Sequence, residues 1–160
     1  MRKEQFVSPY EVYDNPNELN AQDAELLQYA HKAAQNAYAP YSRFHVGAAV
    51  RLANGKIVSG NNIENAAYPS GLCAERVTLF SAQAQYPGVA IEAIAVTAHS
   101  EKTLVDEPIA PCGACRQVMV EVEKVSQCKL RILCQGETGP VMAFDGIETL
   151  MPFIFVDKFL

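Results

Sequence analysis

Three cysteines restrict the fold of this 160-residue chain more than any other feature of it. Pro111-Cys112-Gly113-Ala114-Cys115 sets two thiols three positions apart, the spacing at which a tight turn entering a helix aims both at one ion. Cys73-Ala74-Glu75 lies thirty-nine positions upstream, also where a helix is predicted to start. Alone, the Cys-x-x-Cys pair reads as well as a redox pair or as half of a structural zinc knuckle. A structural zinc normally closes with four protein ligands, and the chain has no second Cys-x-x-Cys to supply them. Three thiolates leave the fourth tetrahedral position to water, the arrangement of a catalytic zinc. Glu75 then stands two residues from a ligand as a proton carrier, although singly a first-turn glutamate is usually no more than a partner of the helix dipole.

The rest of the chain supplies the frame. Residues 1–16 read as an irregular arm, and 17–160 as one domain, with no repeat, low-complexity tract or linker to divide it. Leu19, Leu26, Leu27, Ala30, Ala34 and Ala37 recur at helical spacing and stop near Ala39-Pro40. Residues 44–52 and 56–60 are β-like runs around Ala53-Asn54-Gly55, where Asn-Gly marks a hairpin. A helix over 73–85, a buried strand over 91–98, a helix over 112–125 and strands over 129–134 and 141–144 follow, with a short helix from Glu148. Helices alternating with strands call for an α/β fold, a mixed sheet covered on both faces.

Composition excludes several classes. The formal charge of -5 offers no basic field for DNA or RNA. The most apolar stretch, 88–98, is short and carries Glu92, so no membrane span is expected, and no signal-like run follows Met1-Arg2-Lys3. A cytoplasmic protein is the expectation. Five cysteines do not pair completely, and Cys128 and Cys134 read as buried core residues. His31, His45 and His99 fall away from the motifs and read as structural.

Charge accounting adds second partners. A dication with three thiolates is left with one net negative charge, which weakens its pull on water. Helix N-termini offset this, and Arg76, aided by Gln117, is placed to donate toward a ligating sulfur. A surface salt bridge is the plain alternative for Arg76. Upstream, Asn62 and Glu64 alternate in a strand end and so face one side, where an amide and a buried carboxylate can hold sugar hydroxyls and repel a phosphate.

Cys73-Ala74-Glu75-Arg76 with Pro111-Cys112-Gly113-Ala114-Cys115-Arg116-Gln117 resembles the zinc-dependent cytidine deaminases, in their three-cysteine version, from roughly Tyr38 to Phe155. The resemblance implies a three-layer α/β/α fold with a five-stranded mixed sheet and one Zn2+ per subunit on Cys73, Cys112 and Cys115. It implies Glu75 as general acid/base. Asn62 and Glu64 would hold the ribose 3' hydroxyl, Phe44 would lie against the pyrimidine, and backbone near Ala74 would orient the ring. It further implies a homotetramer with pockets shared between subunits, Phe155 entering a neighbour's pocket. The reaction implied is hydrolysis of free cytidine or deoxycytidine to the uridine and ammonia by hydroxide held on zinc. Two readings stay open beside it: a deaminase of a cytosine-containing nucleoside antibiotic, and a non-catalytic module in which zinc only staples two helices.

Overall fold

A computed structural model describes residues 1–159. One mixed sheet runs through it in the order β1-β6-β5-β4-β2-β3, where β1 is Glu11–Tyr13, β2 Phe44–Leu52, β3 Ile57–Asn61, β4 Ile91–Ser100, β5 Arg131–Gln135 and β6 Val141–Asp145. Only β4 and β5 pair in parallel; β2 pairs with β3 across the Asn54-Gly55 turn, where Gly55 takes φ 78. That positive φ is what glycine supplies to a tight hairpin.

Helix α1 (Ala21–Ala34) covers one face, and α2 (Ala74–Gln85) with α3 (Gly113–Ser126) covers the other. Two cores result. Leu26, Leu27 and Ala30 of α1 pack on Ala49, Ala95 and Leu133, while Leu79 and Met119 from α2 and α3 pack on Val50, Ile94 and Ile132. Alternate residues of β2 and β4 thus feed opposite faces, as the two-residue strand period requires. The close seat of α1 explains Gly47, where an added Cβ would lie 2.0 Å from the Ala30 carbonyl oxygen.

The α/β/α layering agrees with the expectation, and four details differ. The sheet has six strands rather than five, because Glu11–Tyr13 of the arm adds an edge strand to β6. Arg131 fastens that strand, donating to Glu11 at 2.7 Å, Tyr13 at 3.2 Å, Asp145 at 2.9 Å and the buried Asp23 at 3.2 Å. The Ser8 hydroxyl donates to the Thr149 carbonyl, and the Tyr10 ring sits 5.6 Å from that of Phe144. Helix α1 begins at Ala21, capped by Asn20, because a 3-10 turn at Pro16–Glu18 comes first. It ends at Ala34, since Asn36 and Ala37 donate to Ala33 and Ala34 in tighter bonds. The helix expected from Glu148 is a single 3-10 turn, Ile147–Thr149, leading to Pro152.

Cys134 is fully buried, but Cys128 is only partly so, its thiol facing the Ile91 carbonyl at 3.6 Å. His31 is held between Gln135 and Thr97, and His45 stacks on His99 at 4.6 Å while meeting Glu101 at 3.0 Å. All three histidines have structural surroundings.

Candidate active site

Cys73 and Cys112 occupy the residue just before α2 and α3, both in extended backbone, and neither side chain caps its helix. Both thiols are therefore free to turn outward from helix starts, where the dipole favours negative sulfur. Cys115 stands one turn into α3. The Sγ atoms of Cys73 and Cys112 lie 3.9 Å apart and those of Cys112 and Cys115 3.4 Å apart, and all three lie within 4.8 Å of one another. Zinc–sulfur bonds of about 2.3 Å in tetrahedral geometry require sulfurs about 3.8 Å apart. Among the described residues, no other cluster of histidine, cysteine or acidic groups has such convergence.

The protonation pattern fits a cation. Cys73 is held down to about 5 by the hydrogen bond from Cys115, then by Arg76, whose Nη2 lies 3.6 Å from its sulfur. Cys115, as the donor to Cys73 and a buried group beside Glu75, is pushed up. Arg76 is raised mainly by its bond to Cys73, while its buried Nε has no hydrogen-bond partner among the described residues. Negative charge is thus concentrated on sulfur and already faced by one fixed guanidinium. This donor set suits a thiophilic dication such as zinc.

Glu75 is 4% exposed, and burial, followed by the negative sulfur of Cys73, raises its carboxyl above the usual range. It lines a cavity of about 840 Å³ together with Phe44, Asn62, Glu64, Cys73 and Cys112. Such a volume is usual for a small-molecule site. Tyr41 and Tyr68, edge to face at 6.2 Å, border it.

The remaining expected site residues separate into three groups. Asn62 and Glu64 do share the cavity, but both are already engaged. The Asn62 amide accepts from Val46 N at 2.8 Å and donates to the Phe44 carbonyl at 2.9 Å, so it continues the ladder of β2 and fixes the backbone of Phe44. Glu64 Oε2 accepts from the amides of Tyr41 at 2.9 Å and Ser42 at 3.2 Å. Glu64 is partly exposed rather than buried, and its carboxyl is held low, first by the Ser42 hydroxyl. Each keeps spare hydrogen-bonding capacity toward the cavity. Ala74 is buried, and its carbonyl accepts from the Thr78 hydroxyl at 2.8 Å.

Gln117 and Phe155 stand apart from the thiols. The Gln117 amide donates to the Phe155 carbonyl at 3.0 Å, which ties down the C-terminal segment in place of the expected approach to sulfur. Phe155 lies outside the cavity lining and is 55% exposed. Sequence reasoning passed over Ser42, whose hydroxyl accepts from Phe44 N at 3.0 Å, and Arg116. Ser42 carries a visible signal, a short polar residue just after Pro40 where turn-forming side chains collect.

Comparison with known proteins agrees with this geometry. The family model for the cytidine and deoxycytidylate deaminase zinc-binding region matches residues 20–130. The cytidine deaminase of Halalkalibacterium halodurans is 46% identical over 97 residues, covering 61% of this chain and 69% of that protein. That of Sporosarcina psychrophila is 46% identical over 98 residues, covering 61% and 67%. The crystal structure of cytidine deaminase from Burkholderia pseudomallei superposes with a TM-score of 0.71 at 42% identity, covering 82% of this chain and 97% of that one. Three thiols poised for a metal, a buried carboxylate beside them and a match over residues 20–130 converge on one assignment: the chain belongs to the cytidine and deoxycytidylate deaminase family, whose matched region is zinc-binding.

Proposed function

We propose that this protein hydrolyses the exocyclic amine of free cytidine and deoxycytidine, yielding the uridine and ammonia. The observation that carries the proposal is the buried carboxyl of Glu75, set in one cavity wall with thiols of a metal-suited cluster. Cys73, Cys112 and Cys115 would hold one zinc per chain, and a zinc so held would supply a polarised water. Glu75, its carboxyl raised above the usual range by burial, would take one proton from such a water and deliver it to N3 of the pyrimidine, then take the remaining proton of the oxygen added at C4 and pass it to the amine, which leaves as ammonia. Arg76 draws charge from the Cys73 sulfur, which keeps the cluster from becoming too electron-rich for this task.

Phe44, its backbone held by Asn62 and Ser42, offers a flat apolar face to the base. The free donor of Asn62 and the free oxygen of Glu64 are suited to the ribose hydroxyls, and the negative charge of Glu64 disfavours a phosphate there. Residues 17–160 form the catalytic domain, to which the arm adds its edge strand. Phe153 and Phe155, both exposed, suit burial against another copy of the chain, in a homotetramer with shared pockets. Nothing long and apolar enough to cross a membrane occurs among the helices of the described residues, which fits a cytoplasmic enzyme. A rate comparison of cytidine, deoxycytidine, their monophosphates and cytosine tests the proposal. Both nucleosides should react, with monophosphates slower by about 100-fold; equal rates for nucleotides would refute the role of Glu64, and no reaction with zinc-loaded protein would refute the function.

A further inference from the structure

We propose that Arg116 is a positioning residue that locks the Cys112 turn and the C-terminal segment to each other, so that the hold on zinc depends on that segment being docked. The inference rests on the reading of Cys73, Cys112 and Cys115 as the metal-holding set. Arg116 lies in the first turn of α3, one residue past Cys115, and is partly buried. Its Nε donates to the Pro111 carbonyl at 2.7 Å, and its Nη1 to the Leu150 carbonyl at 2.7 Å. Two backbone oxygens thirty-nine residues apart are thus gripped by one planar cation, whose rigid fork fixes their mutual placement.

The Pro111 carbonyl is a sensitive point to hold. The proline ring locks its φ, so ψ is the one soft backbone torsion left before Cys112. That ψ sets both where the Pro111 oxygen points and how the chain enters Cys112. A donor that fixes the oxygen therefore fixes the peptide plane on which Cys112 is carried, which leaves only the φ and χ1 of Cys112 to aim its sulfur. Cys112 needs this most, because it is the exposed member of the set, whereas Cys115 is buried in α3 and Cys73 is braced by Arg76. On the other side, Leu150 opens the run to Phe155, which Gln117 of the neighbouring position holds by the Phe155 carbonyl. Adjacent residues of α3 thus clamp both ends of residues 150–155, and one of the two also clamps the ligand turn.

The test uses full-length, zinc-loaded wild type, Arg116→Ala and Arg116→Lys. Zinc release into excess chelator should be faster by about 10-fold or more in Arg116→Ala. Amide hydrogen exchange should rise together in peptides spanning 111–115 and 150–155, with β2 and β3 unchanged. Arg116→Lys, which keeps the charge but reaches one carbonyl at a time, should fall between the two; it decides the matter if Arg116→Ala does not fold. The kcat for cytidine should drop in step with zinc retention while KM stays near the wild-type value. Release within twofold of wild type in both variants, or exchange rising throughout the sheet, would overturn the proposal. A wild type that takes up no zinc would overturn the metal reading itself, and this proposal with it.

Discussion

Glu75→Gln replaces one oxygen of a 4% exposed side chain by an amide nitrogen of nearly the same size, so the packing of α2 against the sheet is preserved while the proton carrier is lost. A positioned acid/base contributes about 10²–10⁴ in rate. Because Glu75 handles the proton both on the way in and on the way out, the loss should fall at the upper end, about 10⁴ in kcat or about 5 kcal/mol of barrier. Glu75→Asp keeps the chemistry but withdraws the carboxyl by one carbon–carbon bond, about 1.5 Å. A displacement of that order costs about 10². The ordering wild type, Asp, Gln is therefore expected, read from the fall in cytidine absorbance at saturating substrate, with zinc content and melting temperature measured on the same samples. A Gln variant that binds zinc, melts like wild type and retains kcat within about 10-fold would refute the assignment of Glu75.

Three further outcomes follow from the same geometry. Arg131→Met takes from the buried Asp23 one of its two cations, leaving Arg51 at 3.5 Å, and releases Glu11 and Tyr13, so chemical denaturation should show a loss of about 1–3 kcal/mol and β1 should exchange its amides freely; an unchanged midpoint would contradict this. Asn62→Ala leaves Val46 N and the Phe44 carbonyl without partners, costing about 1–3 kcal/mol and raising KM for cytidine, whereas a variant matching wild type in both would show that the Phe44 backbone needs no such brace. Glu64 has a folded pKa below its unfolded one, so its grip on Tyr41 and Ser42 is present above the unfolded value and lost as pH falls through the folded value. KM should therefore rise on that acid side in wild type and not in Glu64→Gln; parallel profiles would dismiss Glu64 as the cause.

Sequence made visible what local chemistry decides. The Cys112-x-x-Cys115 pair, the Asn54-Gly55 hairpin and the helical period of α1 each rest on residues near one another, and each is in place. What it hid depends on distant partners. β1 is three residues long with two exposed, and it exists because β6 lies beside it some 130 positions later in the chain. The apolar spacing of α1 continues through Ala37, yet the last turn tightens before Pro40 and ends the helix early. Asn62 and Glu64 were legible as cavity residues, but their bonds to the backbone of residues 41–46 could not be inferred from alternation alone. Arg116 receives no role from the sequence, because its acceptors are backbone carbonyls, which carry no sequence signal.

The account turns on a zinc held by three sulfurs with a fourth position open, and X-ray absorption at the zinc edge of the purified protein, with metal quantified per chain, tests this most directly. The expected result is one zinc per chain with three sulfur neighbours at about 2.3 Å and one oxygen. Four sulfur neighbours, no zinc, or a disulfide between Cys112 and Cys115 would contradict it.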